Sequence, residues 1–96
     1  MLPPPPILAG ARVLRYAFVD NAVEPTGKTV HRVGGDVLGP AAALAVCQYD
    51  DEEEFWLFYC DADWNDVADT WHLTIESALQ QADFEYRGLS FFEGSG

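Results

Sequence analysis

The run EFWLFYCD at residues 54–61 constrains the fold of this chain more than any other feature of its sequence. Six aromatic or apolar residues stand in succession between two acids, at odd and even positions alike. Such a segment is typical of an interior β-strand that is buried on both faces. Other apolar segments precede and follow it across turns of hairpin length, so the sequence predicts an antiparallel sheet built around it.

Four further segments are predicted to form strands: residues 11–20, 28–33, 41–49 and 66–72. The second of these follows the first across a Pro-Thr-Gly turn and is expected to pair with it as a hairpin. The third contains four alanines, which favour helix, but Pro40 and an acidic turn bound it at strand length. The four-residue loop at 62–65 places Trp56 opposite Trp71, a cross-strand aromatic pair that contributes up to about 1 kcal/mol.

One helix is predicted near the C-terminal end of the chain. Thr74 is a good N-cap residue, and Glu76 in the first turn faces the positive end of the helix dipole. Arg87 in the last turn and Gly88 just after it mark the expected end. The expected buried face is an apolar stripe at helical spacing, made of Ile75, Ala78, Leu79, Ala82 and Tyr86.

The predicted fold class is α+β, an antiparallel meander of four to five strands with one C-terminal helix packed on one face. Residues 1–10 are expected to form a proline-rich N-terminal arm, residues 11–92 a single domain, and residues 93–96 a frayed tail. One helix covers little of such a sheet. Either the sheet curls into a half-barrel or a second copy of the chain covers the other face, and a homodimer is expected.

The charges are unevenly distributed along the chain. Residues 33–96 hold fourteen acids and one base, a net charge of −13, whereas residues 1–32 hold four bases and two acids. A surface this negative repels phosphate backbones, so we expect no direct binding of DNA or RNA. No stretch approaches the roughly 20 apolar residues of a membrane span. Cys47 and Cys60 lie in apolar strands, which favours buried, reduced thiols and a cytoplasmic location.

The charge favours a non-enzymatic acidic binding module, comparable to immunity proteins and antitoxins, that attracts a basic protein partner. The residues expected to contact that partner are turn acids and one aromatic residue: Asp50, Asp51, Glu52, Glu53, Asp61, Asp63 and Trp64. The alternative is a protein that binds a small apolar ligand in an aromatic cavity, between sheet and helix or at a dimer interface. Trp56, Phe58 and Trp71 are the expected lining of that cavity.

Catalytic and metal-binding patterns are weaker. Residues 61–69 place oxygen ligands much as a calcium loop does, but Asp66 stands where that loop needs glycine and His72 where it needs glutamate. An enzyme that uses His72 with Asp66 or Asp69 as the orienting carboxylate, and with Cys60 nearby, is a third hypothesis; Asp66 shares a strand face with His72. Strand alternation puts Asp69 and His72 on opposite faces, and acids near Cys60 raise the pKa of its thiol. No catalytic residue, metal or cofactor is therefore predicted.

The later part of the chain resembles small bacterial proteins that have no assigned activity. The residues that carry the resemblance are FYCD at 58–61, Trp64, ADTWH at 68–72 and a helix that ends in ADFEY at 82–86. They are core aromatics and turn acids within residues 54–87. The resemblance therefore implies the hairpin and the helix that follows it, and it transfers no catalytic residue.

Overall fold

The structure is a computed structural model that describes residues 1–28, 31–33, 36–37 and 39–95. Its elements, in chain order, are β1 (Ile7–Leu8), β2 (Ala11–Phe18), β3 (Glu24–Pro25), β4 (Arg32–Val33), β5 (Asp36–Val37), β6 (Ala43–Gln48), β7 (Phe55–Cys60), β8 (Asp66–His72), α1 (Ile75–Glu85), β9 (Tyr86–Arg87) and β10 (Phe92–Glu93). The helix α1 has 11 residues, and no helix in the described ranges is long and apolar enough to cross a membrane.

The main sheet is antiparallel and has the strand order β1-β2-β6-β7-β8. The short strand β10 also pairs with β2. It lies on the same edge of β2 as β1, and β6 lies on the other edge. The sheet curls into a half-barrel, and α1 packs against β6, β7 and β8. The predicted α+β class, an antiparallel sheet with one C-terminal helix on one face, is confirmed.

The strand β7 lies inside the sheet between β6 and β8, in agreement with its uninterrupted apolar run. Leu57 and Tyr59 belong to the core beneath the helix, whereas Phe58 belongs to the core on the opposite face. Trp56 pairs with Trp71, as the length of the connecting loop predicts. The hairpin of β7 and β8 is therefore confirmed in position and in register.

The first long strand pairs differently from the prediction. Strand β2 pairs along its length with β6, rather than with the described part of residues 28–33. The part of that segment in β4 pairs with β5 in a separate two-stranded sheet, and residues 29 and 30 lie outside the described residues. Strand β6 offers β2 an almost continuous row of buried side chains, so this partner buries more apolar surface than a short segment does.

The helix begins where the sequence predicts and ends earlier. The hydroxyl of Thr74 accepts a hydrogen bond from the backbone N–H of Ser77 at 3.1 Å, which caps the first turn. Glu85 is the last helical residue, because β9 has extended backbone and pairs with β3. The predicted place of Arg87 in the last helical turn is therefore wrong.

Two apolar clusters cover the two faces of the sheet. The cluster beneath the helix consists of Val23, Leu44, Val46, Leu57, Tyr59, Ala78, Ala82 and Tyr86. The cluster on the opposite face consists of Leu8, Ala11, Val13, Ala43, Ala45, Cys47, Phe58, Cys60 and Trp64. The chain thus covers much of the second face itself, and a second copy is not needed to bury this cluster.

Both ends of the chain pack onto the sheet. Strand β1 brings the N-terminal arm against β2, and the indole N–H of Trp64 donates to the carbonyl of Leu2 at 2.8 Å. At the other end, the backbone N–H of Gly94 donates to the carbonyl of Leu14 at 2.9 Å. Glycine is required there because a Cβ would collide with the backbone carbonyl of Val13. The sequence predicts that residues 93–96 fray, but the sheet holds Glu93 and Gly94 in place.

Candidate functional site

The acidic turns predicted to bind a partner lie at opposite ends of the sheet. The turn before β7 carries Asp50, Asp51, Glu52 and Glu53, and the turn after it carries Asp61 and Asp63. The six extended residues of β7 separate the two turns. At ~3.3 Å per residue, this separation is about 20 Å. The predicted residues therefore do not form one contact surface.

Three of these acids, Asp50, Glu52 and Asp61, accept hydrogen bonds in the structure. Asp50 Oδ1 accepts a hydrogen bond from Arg12 Nε at 3.0 Å in an exposed ion pair. Asp61 Oδ1 accepts from the backbone N–H groups of Asn65 and Asp63, each at 2.9 Å. Hydrogen bonds from Asn65 foremost, and from Asp63, hold the pKa of the Asp61 carboxyl below its usual range. Asp61 therefore organises its own turn.

Trp64, predicted to be an exposed contact residue, is buried. It lies in the tight turn after β7 with a positive φ of 62°. Its ring packs edge-on against Tyr16 and Phe18, with centroids 6.1 and 6.0 Å away. Because the N-terminal arm also binds its indole N–H, Trp64 is only 8% exposed. The assignment of Trp64 as a partner contact is therefore wrong.

An acidic and aromatic surface lies on the side of the sheet that faces away from the helix. We define the Trp71 surface by Tyr49, Glu52, Trp56, Asp69 and Trp71. Trp71 is 50% exposed and lies opposite the half-buried Trp56. The indole N–H of Trp56 donates to Glu52 Oε1 at 2.9 Å, and its ring packs edge-on against Tyr49 at 6.4 Å between centroids. The exposed Asp69 shares a face of β8 with Trp71.

The carboxylates around the Trp71 surface make its potential negative. The pKa of Tyr49 is raised, first by desolvation and then by the charges of Asp66, Asp69 and Glu52. Three carboxylates thus act on this phenol, and two of them, those of Asp69 and Glu52, belong to the Trp71 surface. Such a field favours a cation and disfavours an anion.

The strand β8, which carries Asp69 and Trp71, is also an edge strand. In the described part of the chain it pairs only with β7, so one row of its backbone N–H and C=O groups has no strand partner. Val67 is 40% exposed on this strand, and Leu73 just beyond it is 68% exposed. An open edge with exposed apolar side chains is a template for the addition of another strand.

The aromatic cavity predicted from the sequence is not formed. Phe58 does not line a cavity with Trp56 and Trp71, because it is 1% exposed inside the core while Trp71 projects to solvent. The ring of Phe58 fills the space between neighbouring core residues. Within one chain, these three residues therefore do not line a cavity between sheet and helix, and a cavity at a dimer interface stays a prediction.

A cavity of about 280 Å³ lies at the end of β7 and the start of β8. We define the His31 cleft as this cavity together with a second one of about 170 Å³. The two cavities share four lining residues, which are His31, Gly39, Pro40 and Tyr86. Asp61 lines the larger cavity and Glu85 the smaller one.

A buried carboxylate fixes the imidazole of the His31 cleft. Glu85 is 5% exposed, and its Oε1 lies 2.7 Å from Nε2 of His31. Its Oε2 accepts one hydrogen bond from the hydroxyl of Tyr59 and one from Nε2 of Gln81 at 3.1 Å. Burial, and then the bond to Glu85, raise the pKa of Tyr59, so this phenol stays protonated and donates. No sequence pattern predicts a role for His31 or Glu85.

His72 has hydroxyl partners rather than carboxylates. Its Nε2 lies 2.7 Å from Thr70 Oγ1, and its Nδ1 lies 2.9 Å from Ser77 Oγ. Burial lowers the pKa of His72, and the charge of Glu85 partly opposes that effect. Cys60 is not an activated nucleophile, because burial and then nearby carboxylates raise the pKa of its thiol to about 12.

Acidification is expected to destabilise the protein through His72. The imidazole binds a proton near about pH 6.5 in the unfolded chain, but only at a lower pH in the folded protein. Below about pH 6.5 the unfolded state therefore binds more protons, and the free energy of unfolding falls as the pH drops. Urea unfolding between about pH 7.5 and about pH 5.5 measures the slope, which His72→Gln should reduce by up to ~1.4 kcal/mol per pH unit. A slope that His72→Gln leaves unchanged would contradict this expectation.

Among the described residues, no three His, Cys, Asp or Glu side chains converge where they could hold a metal ion. The Trp71 surface and the His31 cleft are the candidate binding sites. They belong to opposite faces of the sheet, because Trp71 shares a face with Phe58 and the cleft lies beside Tyr59. A comparison of the chain with protein-family models, curated proteins and solved structures finds no match.

Proposed function

We propose that this protein is a non-enzymatic binding module that holds a basic segment of a protein partner on the Trp71 surface. The observation that carries the proposal is an indole, 50% exposed, on an open strand edge among carboxylates. Exposed aromatic and apolar side chains that cluster on one surface are typical of interaction sites. The net charge of −11 adds a long-range attraction for the same class of partner.

An arginine side chain suits this surface chemically. A cation over the face of Trp71 gains about 0.5–2 kcal/mol, depending on how far it is desolvated. The carboxylates of Asp69 and Glu52 supply acceptors for charge-assisted hydrogen bonds. Arginine suits the surface better than lysine, because its planar guanidinium stacks on an indole while its N–H groups reach a carboxylate.

The main chain of the partner is expected to add to the open edge of β8. An extended segment placed there lengthens the sheet by one strand and satisfies the backbone groups on that side. Side chains alternate along a strand, so every second residue of the segment faces the side that carries Trp71 and Asp69. A segment with basic residues at alternate positions is therefore the expected partner sequence.

A second copy of this chain suits the same edge less well. When two β8 strands pair, Asp66 and Asp69 of one copy meet an equally acidic strand of the other. Like charges placed opposite each other destabilise a strand pair. The homodimer expected from the sequence is therefore the competing outcome of the test.

The test uses a labelled peptide that alternates arginine and threonine, with binding followed by fluorescence anisotropy. Trp71→Ala is expected to weaken binding by about 5- to 30-fold, or about 1–2 kcal/mol, because it removes the ring on which arginine stacks. Phe84→Ala is the matched control, since Phe84 is 47% exposed on the helix. Its removal should change the affinity by less than about twofold.

Two charge-reversal variants distinguish binding of the peptide at a defined site from its general attraction to a negatively charged protein. Asp69→Lys and Asp83→Lys change the net charge equally, and both aspartates are exposed. At physiological salt, where charges are screened beyond ~8 Å, Asp69→Lys should weaken binding at least about tenfold and Asp83→Lys less than about threefold. Equal losses in the two variants would contradict the proposal. A stable dimer in sedimentation experiments that Trp71→Ala dissociates would assign the surface to a second copy instead.

A further inference from the structure

We propose that the His31 cleft is a separate binding site, for a small primary amine. The cleft joins an imidazole and a carboxylate, those of His31 and Asp61, to apolar side chains that include Val67 and Ala68. Its larger cavity has a volume of about 280 Å³. Sites for drug-sized ligands occupy roughly 300–1,000 Å³, so the occupant of this cleft is small. The proposal does not depend on the Trp71 surface, which belongs to the other face of the sheet.

His31 is prepared to accept a hydrogen bond from a ligand. Its Nε2 faces Oε1 of Glu85 at 2.7 Å, and in the neutral imidazole it donates to that carboxylate. Glu85 is itself fixed by Tyr59 and Gln81. When Nε2 carries the only ring proton, Nδ1 is an acceptor on the side of the ring away from Glu85. An N–H or O–H group of a ligand is its complement.

The charges around the cleft select a cation among such donors. Asp61 lines the larger cavity and Glu85 the smaller one, and the whole chain carries a net charge of −11. The imidazole of His31 is already hydrogen-bonded to Glu85 and adds no acidic group of its own to the cleft. The field in the cleft therefore favours an ammonium group over a neutral hydroxyl, and a hydroxyl over a carboxylate.

Apolar groups define the rest of the ligand. Val67, Ala68 and Ala41 line the larger cavity together with Tyr86. The hydroxyl of Tyr86 accepts a hydrogen bond from the backbone N–H of Ala41 at 2.9 Å, so its polar atom is already satisfied. These groups suit a compact apolar or aromatic body attached to the ammonium group.

Benzylamine, benzyl alcohol and benzoate test the site, because they share one body and differ in the head group. NMR titrations that follow the backbone amides of Ala42 and Ala68 should give affinities in that order. Benzylamine is expected to bind at least about tenfold more tightly than benzoate. His31→Ala should weaken benzylamine binding at least about fivefold, and Phe84→Ala is the control that should leave it unchanged.

Three results would overturn the proposal: no shifts with any of the probes, benzoate affinity equal to that of benzylamine, or benzylamine binding that His31→Ala does not weaken. Asp61→Asn provides a second variant should His31→Ala fail to fold, because asparagine keeps the acceptor oxygen for the backbone N–H groups of the turn and loses the bond from Asn65 Nδ2. This variant should weaken benzylamine at least about threefold and leave benzyl alcohol unchanged, since it removes charge and not shape. Equal affinity of benzylamine for Asp61→Asn and the unaltered protein would count against the proposal.

Discussion

Replacing Phe58 with alanine is expected to lower the free energy of unfolding by about 3–5 kcal/mol. Phe58 is 1% exposed in the core on the face away from the helix. Its partners on the two adjacent strands are Ala45 and Asp69. Ala45 has no rotamers with which to fill a cavity, so side chains on the strands next to Phe58 close little of the space left by the ring. The upper half of the range is therefore expected.

Urea unfolding followed by tryptophan fluorescence measures this loss, with Phe84→Ala as the control. Phe84 is 47% exposed, so its removal should cost less than about 1 kcal/mol. Phe58→Leu keeps most of the buried volume and should cost about 1–2 kcal/mol. Equal costs for Phe58→Ala and Phe84→Ala would contradict a packed core on this face of the sheet.

The strands around Phe58 could be predicted from the sequence because their signals are local. The run bounded by acids at residues 54–61 gives β7, which the structure places at Phe55–Cys60. The length of the next loop then sets the pairing of Trp56 with Trp71. The start of the helix follows in the same way from Thr74. Each of these features depends on residues close to one another in the chain.

Pairings between distant segments could not be predicted from such signals. The strand β2 pairs with β6 rather than with the nearer segment, and the helix ends where β9 pairs with β3. Trp64 is likewise buried by the N-terminal arm and by Tyr16 and Phe18, all far from it in the chain. These outcomes depend on the total apolar surface that the folded chain buries, which no single segment of the sequence specifies.

The candidate sites also combine features that local sequence signals predict with features that depend on contacts between distant segments. Trp71 could be recognised as one of a pair of aromatic residues, but its exposure depends on β8 being the last strand of its sheet. The sequence does contain a signal for the burial of Glu85. Ala78, Ala82 and Glu85 follow helical spacing, which places a charged residue on the buried stripe of the helix. The sequence contains no local signal for the role of His31, because 54 residues separate it from Glu85.

The fold, rather than the composition, decides which acids of this protein lie beside exposed aromatic rings. The two acidic turns that dominate the sequence are separated by the length of β7. Asp69, which lies within a strand and stands alone in the sequence, is brought beside Trp71 and within range of the phenol of Tyr49. An acid placed beside exposed aromatic rings selects a partner more sharply than acids in separate solvated turns, because it combines charge with a shaped contact.

Replacing Glu85 with alanine is expected to lower the free energy of unfolding by about 2–4 kcal/mol. The substitution removes the acceptor of hydrogen bonds from His31, Tyr59 and Gln81. The hydroxyl of Tyr59 is the costliest loss, because Tyr59 is 2% exposed and Glu85 is the acceptor of its hydrogen bond. Glu85→Gln retains an acceptor oxygen and should therefore cost less than Glu85→Ala.

A double-mutant cycle with Tyr59→Phe separates the unsatisfied hydroxyl from lost packing. In the Tyr59→Phe background, Glu85→Ala should cost about 1–2 kcal/mol less than in the unaltered protein, because no hydroxyl is left without a partner. The pKa of His72 gives an independent readout by NMR titration. The charge of Glu85 raises that pKa, so both Glu85 substitutions should lower it. If the free-energy costs of Tyr59→Phe and Glu85→Ala add and the pKa of His72 stays unchanged, Glu85 does not hydrogen-bond to Tyr59 and so does not link α1 to β7. His31 would then have no carboxylate to orient it in the cleft.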